Sequence, residues 1–260
     1  MEVAGAGCCV GVWTIPSPPT PSQCGRLFCN TEPVVLYVHG QTSHRGSHHR
    51  TQFYRRLQDL GLNVVSFDFR GYGDSLSPGV VSVETVVRDT EVVLAWLRAQ
   101  LQPGRPVMVW GHSLGSAVAA HLMSRPGLGP VCSLVLESTF NNLSEELHRH
   151  SWAAPWRLLL PRLVFSWLFS PLPGVDFAPD QHLHLLTLPV IMVHARHDPV
   201  VSVELARKLF QSTVSRGKTS NIEFVELLSK DYGHSEIYKS SELPKLISAA
   251  KRNCDHPSIQ

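Results

Sequence analysis

Gly111-His112-Ser113-Leu114-Gly115 places one hydroxyl between glycines in an otherwise apolar stretch running from Pro106 to Met123. This G-x-S-x-G pattern follows the apolar run Val107 to Trp110 and opens a helical pattern of Leu114, Ala117, Val118, His121 and Leu122. A strand-to-helix reversal in so few residues holds the serine clear of the sheet in a strained conformation and crowds the backbone on both sides, hence glycines at 111 and 115. A serine hydroxyl attacks a carbonyl only when a base takes its proton. In this arrangement the partners follow the serine as an acid and then a histidine. Of fourteen histidines only His234 and His256 lie beyond the acid candidate Asp198, which sits in His194-Ala195-Arg196-His197-Asp198-Pro199. His256 stands in a polar tail, whereas His234 follows an apolar strand in Asp231-Tyr232-Gly233-His234. We therefore expect Ser113 as nucleophile, His234 as general base and acid, and Asp198 as the group that orients the imidazole. Glu137 is the best rival acid. Asp231 is too near His234 in sequence, and His197 reads as a solvated loop residue. The N–H of Leu114 and that of Gln41, with Thr42 as the weaker alternative, are the expected oxyanion donors. Asp68 and Arg70 read as a polar brace.

Those groups need a scaffold that delivers them to one edge. Six short apolar runs, Val34–Val38, Val64–Asp68, Pro106–Trp110, Val131–Leu136, Val190–His194 and Ile222–Leu227, read as buried strands. Between the second and third, Val83, Val86, Val87, Thr90, Leu94, Leu97 and Leu101 recur with a 3.6-residue period that Pro103-Gly104 ends. Alternating strands and helices imply right-handed crossovers and a mostly parallel central sheet flanked by helices, an α/β fold. Residues 1–32, with prolines at 16, 18, 19 and 21, read as an extended or loosely ordered leader. The domain then runs over 33–260, with a lid inserted at about 139–188, where some fifty residues pass without a strand pattern.

With 260 residues, 43% of them apolar and 17% charged, the chain has the composition of one large globular domain. A net charge of +2 without a basic stripe gives no reason to expect nucleic acid. No HExxH or CxxC appears, so no metal or cofactor is expected. The six cysteines are expected to be free thiols, with a Cys24–Cys29 pair as the alternative in an oxidising compartment. No apolar run of about eighteen residues and no signal-peptide pattern is present. Asn142-Leu143-Ser144 is a glycosylation sequon of small weight.

The stretches "GVW", "LYVHG", "FDFRGYGDS", "VWGHSLGS", "LVLESTF", "VHARHDPVV", "ARKLF" and "IYKSSELP" together resemble the α/β-hydrolase domain-containing protein 12 family of lysophosphatidylserine and monoacylglycerol lipases. They span about Gly11 to Leu246. The resemblance implies an α/β-hydrolase fold and, matched residue by residue, puts nucleophile, acid and histidine on Ser113, Asp198 and His234. It implies a serine lipase acting on monoacylglycerols or lysophospholipids at the endoplasmic reticulum membrane, with a cytoplasmic location as the alternative for a chain without a spanning segment. A thioesterase or carboxylesterase, or a non-catalytic protein of the same fold, are the competing readings. The chain departs from the family in three places. A membrane anchor and further strands before "GVW" are expected to be missing, Gln41 stands where the family has Asn, and Arg196 and His197 replace acidic residues. Leu147 to Val175 holds no Asp or Glu but has Arg149, Arg157 and Arg162 among Trp152, Trp156, Phe165, Trp167 and Phe169. That composition suits a lid that touches an anionic lipid surface and admits a single-chain lipid.

Overall fold

A computed structural model describes residues 2–5, 8–17, 30–75, 81–149, 176–216 and 221–255. In chain order the elements are β1 (Glu2–Gly5), β2 (Cys8–Ile15), β3 (Val34–Val38), α1 (His48–Asp59), β4 (Asn63–Phe67), α2 (Val83–Gln100), β5 (Val107–His112), α3 (Leu114–Met123), β6 (Ser133–Glu137), α4 (Leu143–Arg149), α5 (Pro179–His182), β7 (Val190–Ala195), α6 (Val203–Ser215), β8 (Ile222–Leu227) and α7 (Leu243–Asp255). The six expected strands form within two residues of their expected ends. One eight-stranded sheet has the order β1-β2-β4-β3-β5-β6-β7-β8. β2 runs antiparallel to β4, and every pairing from β4 to β8 is parallel.

The sheet is wet on neither central face, because β3, β4, β5, β6 and β7 are mostly apolar and buried at every position. Val34, Leu36 and Val38 face one side with Val107, Val109, Leu134 and Leu136, covered by apolar residues of α2, α3 and α6. Val35, Tyr37, Met108, Trp110 and Val135 face the other, under Phe53, Tyr54 and Leu57 of α1 and Leu246, Ile247 and Ala250 of α7. Two-sided burial is what an unbroken Val/Leu/Ile run encodes, since alternate side chains leave opposite faces. The edge strand β8 is only partly covered.

Two findings correct the sequence reading. Residues 2–15, expected as leader without strands before "GVW", supply β1 and β2, and Val12 to Ile15 pair with Val64 to Phe67. Their extended conformation comes from sheet pairing, not from proline; the small residues of this stretch give little periodic signal to read. The thiols expected to be free include one pair joined in a disulfide, Cys132–Cys254, across 122 residues of sequence. No spacing rule links cysteines so far apart, since only the packing of α7 beside β6 brings them together. Cys9 takes no part in a disulfide among the described residues, and Cys24 and Cys29 lie outside them. So does most of the lid, including its tryptophans. No helix of the described residues is long and apolar enough to cross a membrane.

Candidate active site

Strand order decides where the chemistry can gather. The chain leaves β3 for β4 on one side, then returns through α2 to β5 on the other. The crossovers therefore diverge at the C-terminal ends of β3 and β5, opening the crevice where parallel sheets bind ligands. His39-Gly40 ends one lip of that crevice and His112-Ser113 the other.

Ser113 caps α3 with φ 53° and ψ −120°, a backbone state costing on the order of 1–3 kcal/mol for a residue with a side chain. Its N–H donates to Glu137 O at 2.8 Å, and its carbonyl accepts from Ser116 N and Ser116 Oγ at 2.9 and 2.5 Å. The flanking glycines are required by space. A Cβ on Gly111 would lie 2.5 Å from Gly115 O, and one on Gly115 would lie 2.1 Å from Val38 O. A Cβ on Gly40 would meet Ser113 Cβ at 3.2 Å, so the loop carrying Gln41 runs directly against the serine. Leu114 is the first residue of α3, where backbone N–H groups have no partner within the helix. Gln41 is exposed at the mouth of the crevice.

The structure brings the expected acid and histidine together. His234 Nδ1 donates to Asp198 Oδ2 at 2.7 Å, with the carboxylate side chain fully buried and the imidazole 13% exposed. Val200 N–H and Val201 N–H donate to the other oxygen, Oδ1, at 2.8 and 2.9 Å. Burial alone would raise the Asp198 carboxyl. Hydrogen bonds and charge from His194 and His234 outweigh it and hold the group well below the usual carboxylate range. The rival Glu137 is tied elsewhere: Trp110 Nε1 donates to its Oε2 at 2.7 Å, and burial pushes its carboxyl up to about 7. Asp231 bonds Ser229 at the surface, and His197 is exposed, both as the sequence suggests. Ser113 Oγ makes no hydrogen bond among the described residues; such bonds tighten when substrate fills a site.

Three neighbours of the expected triad escaped the sequence reading. The His234 carbonyl accepts from His112 Nε2 at 3.0 Å and from Ser138 Oγ at 3.1 Å, fixing the histidine loop to the ends of β5 and β6. Ser138, like Ser113, has a positive φ, 50°. Arg50 is the third. It is 1% exposed, and its guanidinium donates to Gly40 O at 3.1 Å, Thr42 O at 2.5 Å and His44 O at 2.7 Å. One buried fork thus ties down three alternate carbonyls of the loop beside Ser113. The signal available was an arginine on the otherwise apolar face of α1, which binary patterning treats as solvated. Asp68 takes Arg45, and Arg70 takes Asp89, the bracing role expected for that pair.

His39, at the lip, is a neutral imidazole. Its Nδ1–H donates to Gly40 O at 2.6 Å, and its Nε2 accepts from Phe69 N–H at 3.3 Å. Burial and the Arg50 charge lower it to about 3. The unfolded chain takes up this proton below about pH 6.5, whereas the native state refuses it until about pH 3. His39 therefore removes stability as pH falls below 6.5, about 2 kcal/mol by pH 5. Glu137 acts oppositely, because its native carboxyl keeps a proton up to about 7 that the unfolded chain has lost. Denaturant titrations at pH 7 and pH 5 check this: the His39→Gln protein is expected to lose about 2 kcal/mol less than wild type between the two. An unchanged difference would rule the account out.

A sheet of this order, a strained serine at its switch point and an Asp–His pair on the same edge define an α/β-hydrolase. The comparisons with known proteins agree. Residues 30–178 match the family described as serine aminopeptidase, S33, and the chain belongs to that family. Among curated relatives it is 36% identical to the lysophosphatidylserine lipase ABHD12 of Rattus norvegicus, over 92% of this chain and 62% of that protein. It is 29% identical to protein ABHD12B of Homo sapiens, over 91% of this chain and 67% of that protein. The chain thus spans somewhat under two thirds of the length of the lipases it matches. Among solved structures, the Pyrococcus furiosus esterase Pf2001 superposes with a TM-score of 0.72 at 20% identity, covering 98% of this chain and 90% of that one. Mouse alpha/beta hydrolase domain-containing protein 10 superposes with a TM-score of 0.61 at 16% identity, covering 98% of both chains. At those identities the likeness is one of fold.

Proposed function

We propose that this protein is a serine lipase that hydrolyses the acyl ester of monoacylglycerols or lysophospholipids, lysophosphatidylserine among them. The observation that carries the reading is the Asp198–His234 hydrogen bond on the sheet edge where the chain turns sharply at Ser113. His234 Nε2 takes the Ser113 proton as Oγ bonds the ester carbon. The oxyanion then faces the N–H groups of Leu114 and Gln41. Collapse of the tetrahedral adduct expels the lipid alkoxide, which receives the proton from His234, and leaves an acyl-Ser113 ester. Water, deprotonated by the same imidazole, releases the fatty acid and restores the serine. Asp198 stays ionised throughout. The lipid class comes from the relatives named lysophosphatidylserine lipase. Contact of the aromatic, arginine-bearing segment 147–175 with an anionic membrane, and residence at the endoplasmic reticulum membrane, are supported by sequence and resemblance.

The test is fatty-acid release from lysophosphatidylserine, lysophosphatidylcholine, monooleoylglycerol and oleoyl-coenzyme A by one preparation, alongside labelling by a fluorophosphonate. Labelling with release from the ester lipids is expected. A folded but unlabelled protein would make it non-catalytic, and release confined to the thioester would make it a thioesterase. Arg50 gives a further check. Arg50→Met frees three carbonyls and lets the loop carrying Gln41 relax, so kcat should drop about 10²-fold, the worth of one displaced oxyanion donor. KM should change little, and Arg50→Lys should recover only part of the loss. An unchanged kcat in a folded Arg50→Met protein would remove this residue from the site.

A further inference from the structure

The opposite edge of the sheet carries a second feature that the hydrolase chemistry does not use. A cavity of about 440 Å³ opens at the N-terminal ends of β5 and β6, lined by Arg98, Pro103, Arg105, Pro130 and both halves of the disulfide, Cys132 and Cys254. Its volume is within the range of small-molecule sites, and its walls mix apolar surface with two guanidinium groups. The two cysteines are 6% and 7% exposed, and both line this cavity. Arg98 makes no ion pair among the described residues. Its Nη2 donates to Pro130 O, and its Nε is buried without an acceptor. Burial without a carboxylate lowers its ordinarily very high pKa, yet the group stays charged. Arg105 is positioned by Glu32 O, 3.1 Å from its Nε, and by Asn30 Oδ1, 2.7 Å from its Nη2. The nearby carboxylate of Glu32 is taken by Lys251 at 2.6 Å. The cavity therefore sets the Arg98 guanidinium, which pairs with no carboxylate among the described residues, beside a sulfur–sulfur bond.

We propose that this cavity binds a small thiol carrying negative charge, and that the bound thiolate exchanges with the Cys132–Cys254 disulfide. The thiolate sulfur attacks one protein sulfur and forms a mixed disulfide. The Cys132–Cys254 bond breaks, and the other cysteine leaves as a thiolate whose charge Arg98 stabilises. A second equivalent of thiol attacks the mixed disulfide, giving the small-molecule disulfide and a protein dithiol. Two electrons pass from two thiols to one disulfide, so no other oxidant or reductant enters. The residues involved come from three elements joined only by folding: the end of α2, the start of β6 and the last turn of α7. Because α7 packs on β6 and on the turn at Ile237–Lys239, which follows His234, the bond that exchanges is also one that fastens the histidine loop's support.

The test uses the whole oxidised chain, quenched with acid and read by intact mass and by peptide mapping. Glutathione and mercaptoethanesulfonate are the anionic probes and cysteamine the cationic one, at equal thiolate concentration, in low salt and without denaturant. The anionic thiols are expected to add to Cys132 or Cys254 about five- to tenfold faster than cysteamine, and that preference is expected to collapse in 1 M salt. Arg98→Gln should abolish the preference; because that variant can also disturb packing, the salt dependence of the wild type is the independent check. Equal rates for all three thiols would overturn the proposal. So would exchange that starts only when denaturant unfolds the chain, or a chain that carries no Cys132–Cys254 bond when isolated without reductant. None of these readouts depends on ester hydrolysis.

Discussion

Replacing Ser113 with alanine is expected to lower ester hydrolysis about 10⁵- to 10⁶-fold and to remove all fluorophosphonate labelling, while the protein stays folded. The size follows from the role. Without Oγ no acyl-enzyme forms, and only substrate binding and the oxyanion donors remain to speed attack by water. Folding should survive because the loss is one half-buried hydroxyl that bonds nothing among the described residues. The strained φ of 53° makes a second variant informative. Ser113→Gly should match the alanine variant in activity yet gain about 1 kcal/mol of stability as the strain is relieved, a trade of stability for function. Thermal melts beside the activity assay test both halves. Residual labelling of the alanine variant would move the nucleophile to another residue.

Asp198→Asn carries the second large effect, an expected drop of about 10⁴-fold in kcat, the size found where an asparagine leaves the triad histidine in the wrong tautomer. In the native pair the carboxylate accepts from His234 Nδ1–H, which leaves Nε2 free to take the serine proton. An amide can present its NH2 to Nδ1 instead, which moves the proton to Nε2 and removes the base. The Asn Oδ1 can still accept from Val200 and Val201 N–H, so the loop should keep its shape. Stopped assays across pH 5 to 9 should find the variant depressed throughout, not merely shifted. Glu137→Gln is the matching control. Its carboxyl is held by Trp110 and already carries a proton near neutral pH, so activity should stay within about tenfold of wild type. The opposite pattern, a silent Asp198→Asn with an inactive Glu137→Gln, would transfer the acid to the end of β6.

How much of this could be read from the chain alone differs from residue to residue. The six runs of Val, Leu and Ile announce strands buried on both faces because a two-faced sheet accepts apolar side chains at every position. The serine turn announces itself because only glycine fits where Val38 O stands 2.1 Å from a would-be Cβ. Chain order then singles out His234 among fourteen histidines. Those properties are local, or depend only on the order of elements, and one-dimensional information holds them.

What folding alone decided has a common cause: each case is a contact between residues whose types are ordinary for their own element. Cys8 to Ile15 make a short run broken by Gly11, and their strand exists because the backbone of β4 is there to pair with. Arg50 looks like a solvated helix residue until α1 packs against the end of β3, where three loop carbonyls need a donor. Cys132 and Cys254 acquire each other, and a cavity between two arginines, only when the last helix closes on the sheet. The sequence by itself pointed to the class of chemistry proposed above, because a nucleophilic serine needs a turn, a base and an acid in a fixed order. The tertiary structure decided which acid meets the histidine, which cation shapes the loop beside the serine and which thiols are joined, because those choices are made by distance across the fold.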